Sequence, residues 1–229
     1  MMRLPLVSVS WTHSGPLVIP EDAFSTTLRV WDGEEMALPQ DGSHYGIVER
    51  GPVFLRCASG EFTLSAGMYF AVPGPAHLSG PGRGIVVARP GYRCLFSIGG
   101  PCEEKGRLRY VDGCTDTLLL GPAKVGGPCL NLLHLPPGTD QTRHTHSSVR
   151  VGLIISGHGR CVGPGGAVAL EPGQIFIIPP HTEHSFFTED EALRVIAYHP
   201  DTDTGPSDGD HPMINRTMVG GVSAARLQS

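Results

Sequence analysis

The apolar residues of this chain come in short runs separated by turn formers: Gly46–Val48, Val53–Cys57, Met68–Val72, Gly84–Ala88, Asn131–Leu135, Val151–Ile155, Ala167–Leu170, Gln174–Ile178 and Leu193–Tyr198. Runs of this length, rich in β-branched residues, predict strands. Clusters such as Pro73-Gly74-Pro75 and Gly163-Pro164-Gly165-Gly166 predict tight connections between them. The expected fold class is all-β, a sandwich or barrel.

The pattern also repeats. Glu61–Pro73 lines up with Ala167–Pro179 when Gly67 is laid on Gly173, Phe70 on Phe176 and Pro73 on Pro179, and at the same offset Gly51 falls on Gly157. Two copies of one β unit imply two similar domains, 1–110 and 111–200, with a junction near Gly99-Gly100-Pro101 and Asp112-Gly113. The polar, turn-rich stretch Asp201–Asp210 opens a tail, 201–229, expected to wrap the surface. Its aspartates do not have the spacing of a helix-loop-helix calcium site.

Composition narrows the picture. The 229 residues include 31 Gly and 21 Pro, which argues against long helices, and 40% hydrophobic against 17% charged residues supply a core and disfavour disorder. A net charge of −5 without a Lys/Arg cluster argues against a nucleic-acid partner. There is no apolar stretch of membrane-spanning length, and Met1–Gly15 lacks the basic-then-apolar order of a signal peptide, so a cytoplasmic protein with no membrane partner is expected. The cysteines Cys57, Cys94, Cys102, Cys114, Cys129 and Cys161 are scattered singly and read as reduced structural thiols. Trp11, Trp31, Phe54, Phe62 and Phe70 read as core. Phosphate-loop, nucleophile-elbow and HExxH motifs are absent. The sequon Asn215-Arg216-Thr217 matters only outside the cytoplasm.

Chemistry concentrates between Pro137 and His184. Positions two apart on a strand share a face, so His144 and His146 form a chelating pair. His184 follows a buried-looking strand and the turn Pro179-Pro180, a rigid placement that can return it to the same point. Three imidazoles suit Fe, Mn, Ni, Cu or Zn.

This segment resembles the two signature motifs of the cupin superfamily: Gly138, His144, His146 and Gly157 fill places of the first, and Gly173, Pro179 and His184 those of the second. The resemblance implies two small cupin-type β-barrels in tandem, double-stranded β-helices of jelly-roll type, with His144, His146 and His184 as ligands of one divalent transition metal in the second. Arg150 stands where the family has a Glu ligand, and His181 where it has a Gly. Arg cannot ligate a cation. On an unbulged strand it shares the face of His144 and His146, so it needs an anion beside it: an acidic substrate, or a carboxylate such as Glu183 or Asp140. His181 is a candidate ligand, acid/base or turn residue; His134 a core histidine or a cavity group; Gln141 and Asp140 oxygen ligands or a polar turn. In the first half Leu38 and Gln40 fall on the His pair, His44 on Arg150 and His77 on His184, which predicts a degenerate barrel for packing and dimer formation.

The function expected from the resemblance is a non-haem, dioxygenase-like metal enzyme acting on a small, possibly acidic molecule, with Arg150 and His181 as further site residues. The alternatives are a metal-dependent isomerase or hydrolase, and a small-ligand-binding cupin with a structural metal. A homodimer is expected from base rates and from sheet edges that need cover.

Overall fold

A computed structural model of the chain describes residues 7–19, 25–209, 211, 213 and 216–227. Residues 1–6, Asp210 and the sequon's Asn215 lie outside them. The described residues form an all-β protein whose strand pairs are all antiparallel; helical residues among them are confined to the 3₁₀ segments Val111–Gly113 and Ala224–Arg226 and to Met213 and Arg216.

Two large sheets carry the same core order. One runs Ser97–Gly99, Tyr69–Pro73, Ser43–Arg50, Arg83–Arg89, Thr26–Asp32, Leu17–Ile19. The other runs Val7–Val9, Ile175–Ile178, Arg150–Ser156, Leu193–His199, Cys129–Leu135, Thr115–Leu120, Leu108–Arg109. Each faces a small sheet: Met36–Leu38, Ala76–Ser79, Val53–Cys57, Gly60–Leu64 in the first half, and Ser185–Phe187, Gly159–Gly163, Gly166–Leu170 in the second. The aligned glycines of the repeat now have a physical reason, because Gly67 and Gly173 turn the chain at φ +77° and +80°, where a side chain is strained.

Both faces of each large sheet are covered, and this is why its strands read as nearly continuous apolar runs. In Cys129–Leu135, Leu130 and Leu132 point into a core shared with Leu28, Ile47, Ile85 and Val87 of the other large sheet. Leu133 and Leu135 point instead into the second barrel, with Ile154, Phe176, Ile178 and Val195. The first barrel has its own interior around Leu38, Leu55, Phe70 and Leu78. The two units therefore meet sheet to sheet, with Tyr45 and Tyr198 in ring contact at 5.3 Å across the seam.

The N-terminal strand Val7–Val9 pairs with Ile175–Ile178 of the distant second barrel. Trp11 fixes it there by donating Nε1–H to the Gly173 carbonyl at 2.8 Å, while Arg83 of the first half stacks on the indole at 4.3 Å. Trp31 and Phe70 are core as expected, and Phe62 is half-buried against Phe96. Phe54 is not: it alternates outward on Val53–Cys57 and stays 45% exposed, because Val53, Leu55 and Cys57 are the residues of that strand that face the barrel interior. The six cysteines are free thiols, and burial raises Cys129 and Cys161 to about 12, so both stay protonated.

Candidate metal centre

The three histidines converge on the small-sheet side of the second barrel. His144 and His184 form an isolated antiparallel bridge, with His144 N–H on the His184 carbonyl at 3.0 Å and the reverse bond at 2.9 Å. His146 is tied by its carbonyl, which accepts His181 N–H at 2.7 Å. The expected strand pair is thus corrected: apart from the bridge at His144, residues 141–149 lie outside any strand, and these cross-chain ties rather than strand alternation aim the rings. Ring centroids lie 5.0 Å apart for His144 and His146, 4.5 Å for His144 and His184, and 5.1 Å for His146 and His184.

The chemistry of this donor set fits a metal ion. One ligand atom of each histidine lies within 4.8 Å of the others. His144 Nδ1 bonds to the Thr142 carbonyl at 2.9 Å and His184 Nδ1 to the Thr182 carbonyl at 2.8 Å. A carbonyl only accepts, so both Nδ1 atoms carry the proton and both Nε2 lone pairs are left for a ligand. His184 Nε2 is buried without a hydrogen-bond partner, an orphan that a metal would satisfy. Burial, then Arg150 and the neighbouring imidazoles, lowers His146 to about 3; burial, then His144 and Arg150, lowers His184 to about 4, so both are neutral at neutral pH.

Arg150 points into the barrel with its side chain 12% exposed. Its Nη1 donates to Ser148 Oγ at 2.6 Å, to the Val149 carbonyl at 3.0 Å and to the Ser148 carbonyl at 3.2 Å, and it lies 3.8 Å from Asp201. Ser148 Oγ itself bonds to Asp201. The carboxylate partner is therefore Asp201, at the start of the tail, and neither of the two expected ones: Glu183 pairs at the surface with Arg143, and Asp140 is exposed. The tail holds Asp201 in place because Thr202 and Pro206 accept backbone bonds from Gly126 and Val125.

His181 occupies its turn at φ +57°, which accounts for glycine at that place in the family motif. Its side chain is exposed and does not line the cavity, so its contribution here is the backbone bond to His146. His134 lies on the opposite face of its strand from the cavity, bonded to Thr115 Oγ1 at 3.3 Å. Gln141 is buried beside the histidines.

The cavity in front of the three imidazoles is small, about 60 Å³, and opens to solvent at its mouth. Its apolar wall is Leu133, Phe176, Ile178, Phe186, Val195 and Ala197. Its polar groups beyond those predicted are Tyr110, Asp116, Asn131 and His199. His199 is partly buried, and burial, then Arg150 and His146, lowers its pKa well below the usual histidine value. Asn131 and His199 carry a signal that sequence reasoning passed over: they alternate with Leu133 and with Val195 and Ala197 on strands whose odd positions face the barrel.

The first barrel holds no such cluster among the described residues. Register corrects one equivalence. Leu38 pairs with Ala76 where His144 pairs with His184, so Ala76, not His77, takes the third histidine's place. His77 faces Glu35 at 3.6 Å near the surface, and His44 is buried, its Nε2 bonded to the Pro39 carbonyl at 2.9 Å.

Residues 131–199 match the model of the cupin domain family. Among solved structures it resembles a cupin 2 conserved barrel domain protein from Leptotrichia buccalis, with TM-score 0.61 and 12% identity over 88% of this chain and 91% of that one. It also resembles salicylate 1,2-dioxygenase from Pseudaminobacter salicylatoxidans, with TM-score 0.57 and 14% identity over 77% of this chain and 70% of that one. The complex of that enzyme with gentisate gives TM-score 0.58, at 14% identity over 77% and 68%. At these identities the likeness is one of fold. No curated protein matches the sequence.

Proposed function

We propose that the second barrel binds one divalent transition metal through His144, His146 and His184, and that the protein is a non-haem, dioxygenase-like enzyme acting on a small molecule in the adjoining cavity. The observation that carries this reading is the buried, unpartnered Nε2 of His184 facing two further imidazoles beside a cavity open to solvent. Three protein ligands leave coordination positions open, whereas a purely structural site is closed by protein groups. A metal held this way supplies Lewis-acid or one-electron chemistry at the cavity wall.

The chain's own groups do the rest. Carbonyls of Thr142 and Thr182 hold two imidazoles in the ligating tautomer. The wall from Leu133 to Phe186 excludes water and receives the apolar part of a substrate. Salicylate, in the name of the similar dioxygenase, and gentisate, in its adduct, are acids; here Arg150, the group that would receive an acid, is already engaged by Ser148 and Asp201. The test is oxygen uptake by the Fe(II)-loaded protein with a panel of hydroxylated aromatics, aromatic amines and small thiols. Uptake with one class, lost in His184→Ala, is the expected result; iron bound with no uptake across the panel would favour a binding role.

A further inference from the structure

Apart from the three histidines, His199, Tyr110 and the Arg150–Asp201 pair, two polar side chains of the cavity bear on what it binds. The first is Gln141, only 2% exposed. Its Oε1 accepts Phe186 N–H at 3.2 Å. A backbone N–H only donates, so the orientation of this amide is settled and Nε2 is a donor. That Nε2 is buried with no partner, on the wall shared with His144 and His184. An acceptor from a bound molecule would complete it, and leaving it unmet is costly.

The second is Asp116, on the facing large sheet. Both its carboxylate oxygens receive one amide, Asn131 Nδ2, at 3.0 and 2.8 Å. Asn131 Oδ1 in turn accepts Cys129 Sγ–H at 3.2 Å, consistent with that orientation. Among the described residues no basic side chain forms an ion pair with Asp116. Burial correspondingly raises its pKa, with Asn131 opposing. The charges of the cavity therefore do not balance: the guanidinium has its carboxylate, the carboxylate of Asp116 has only a neutral amide. A cation at that point would be held by a charge-assisted hydrogen bond, and an acid would be repelled.

Resting on the metal reading above, we propose that the site takes a small, largely apolar molecule that presents an oxygen function at the metal end, received by Gln141 Nε2, and a protonated amine at the other end, received by Asp116. The test uses three catechols of similar size, titrated calorimetrically into the Zn(II)-loaded full chain so that no oxidation intervenes: dopamine, neutral 4-ethylcatechol and 3-(3,4-dihydroxyphenyl)propionate. Dopamine should bind about tenfold or more tighter than 4-ethylcatechol, and the carboxylate weakest. In Asp116→Asn the affinity of dopamine should drop to that of 4-ethylcatechol, and Gln141→Met should weaken all three by about fivefold or more. The wild-type ranking needs no variant, so a folding defect in either one does not protect the proposal. If zinc binds and the three probes bind alike, or the carboxylate binds most tightly, this inference is overturned while the metal reading stands; if the protein takes up no zinc, both fall together.

Discussion

His146 and His184 hold their neutral form because protonation would place charge in a buried pocket beside Arg150 and each other. This has a consequence for stability in the absence of metal. The unfolded chain titrates its histidines near 6.5, the native protein near 3 and 4, so between those values the unfolded state binds more protons. Stability contributed by the pair is complete above about pH 6.5 and is lost as the pH falls toward about 4. His199, lowered in the same direction, adds to it. Urea unfolding of the metal-free protein at pH 7 and pH 5 should show a loss on the order of a few kcal/mol, smaller in His146→Gln. Equal losses in both proteins would mean that other groups carry the pH dependence. The three clustered histidines were legible in the sequence because histidine spacing and the flanking Gly and Pro are local signals. Asp201 as the partner of Arg150 was not, since nothing in the linear order ties a tail residue to position 150.

At the scale of strands, each large sheet solves the same packing problem in the same way. Phe176 lies over Gly152 on the neighbouring strand, and Phe70 over Gly46, at matching register positions. A Cβ on Gly152 would stand 2.2 Å from the Phe176 ring, and one on Gly46 2.1 Å from Phe70. Gly152→Ala should therefore cost about 1–3 kcal/mol and lower the melting temperature by several degrees, through displacement of a ring that lines the cavity. Gly209, where a Cβ meets nothing within 4 Å, is the matched control and should change little on substitution by Ala. An unchanged melting temperature for Gly152→Ala would show that the ring has room to move. The apolar runs announced the central strands because those are covered on both faces. Thr26–Asp32, Thr115–Leu120 and Ser185–Phe187 escaped notice because threonine, aspartate and serine interrupt their runs while the backbone still pairs.

For the molecule as a whole, the shared core between the large sheets makes the first barrel a support for the second. Leu38 and Ala76 occupy the places of His144 and His184 in the first barrel, where the position of the site is filled by apolar packing. The internal repeat gave away this pairing of halves, since the aligned glycines and phenylalanines are set by turn and packing geometry. The crossing of Val7–Val9 to the second barrel, with Trp11 on Gly173, left no such trace: strand pairing across 160-odd residues depends on the assembled fold. Among the described residues no helix is long and apolar enough to cross a membrane.

The central claim, that three histidines of the second barrel hold one metal ion, is tested most directly by elemental mass spectrometry of the purified protein beside a His144→Ala/His146→Ala double variant. About one equivalent of Fe, Mn, Ni, Cu or Zn in the wild type, absent from the variant, is the expected result. No metal in either protein, with reconstitution failing as well, would contradict it and leave the cavity as a site for small ligands alone.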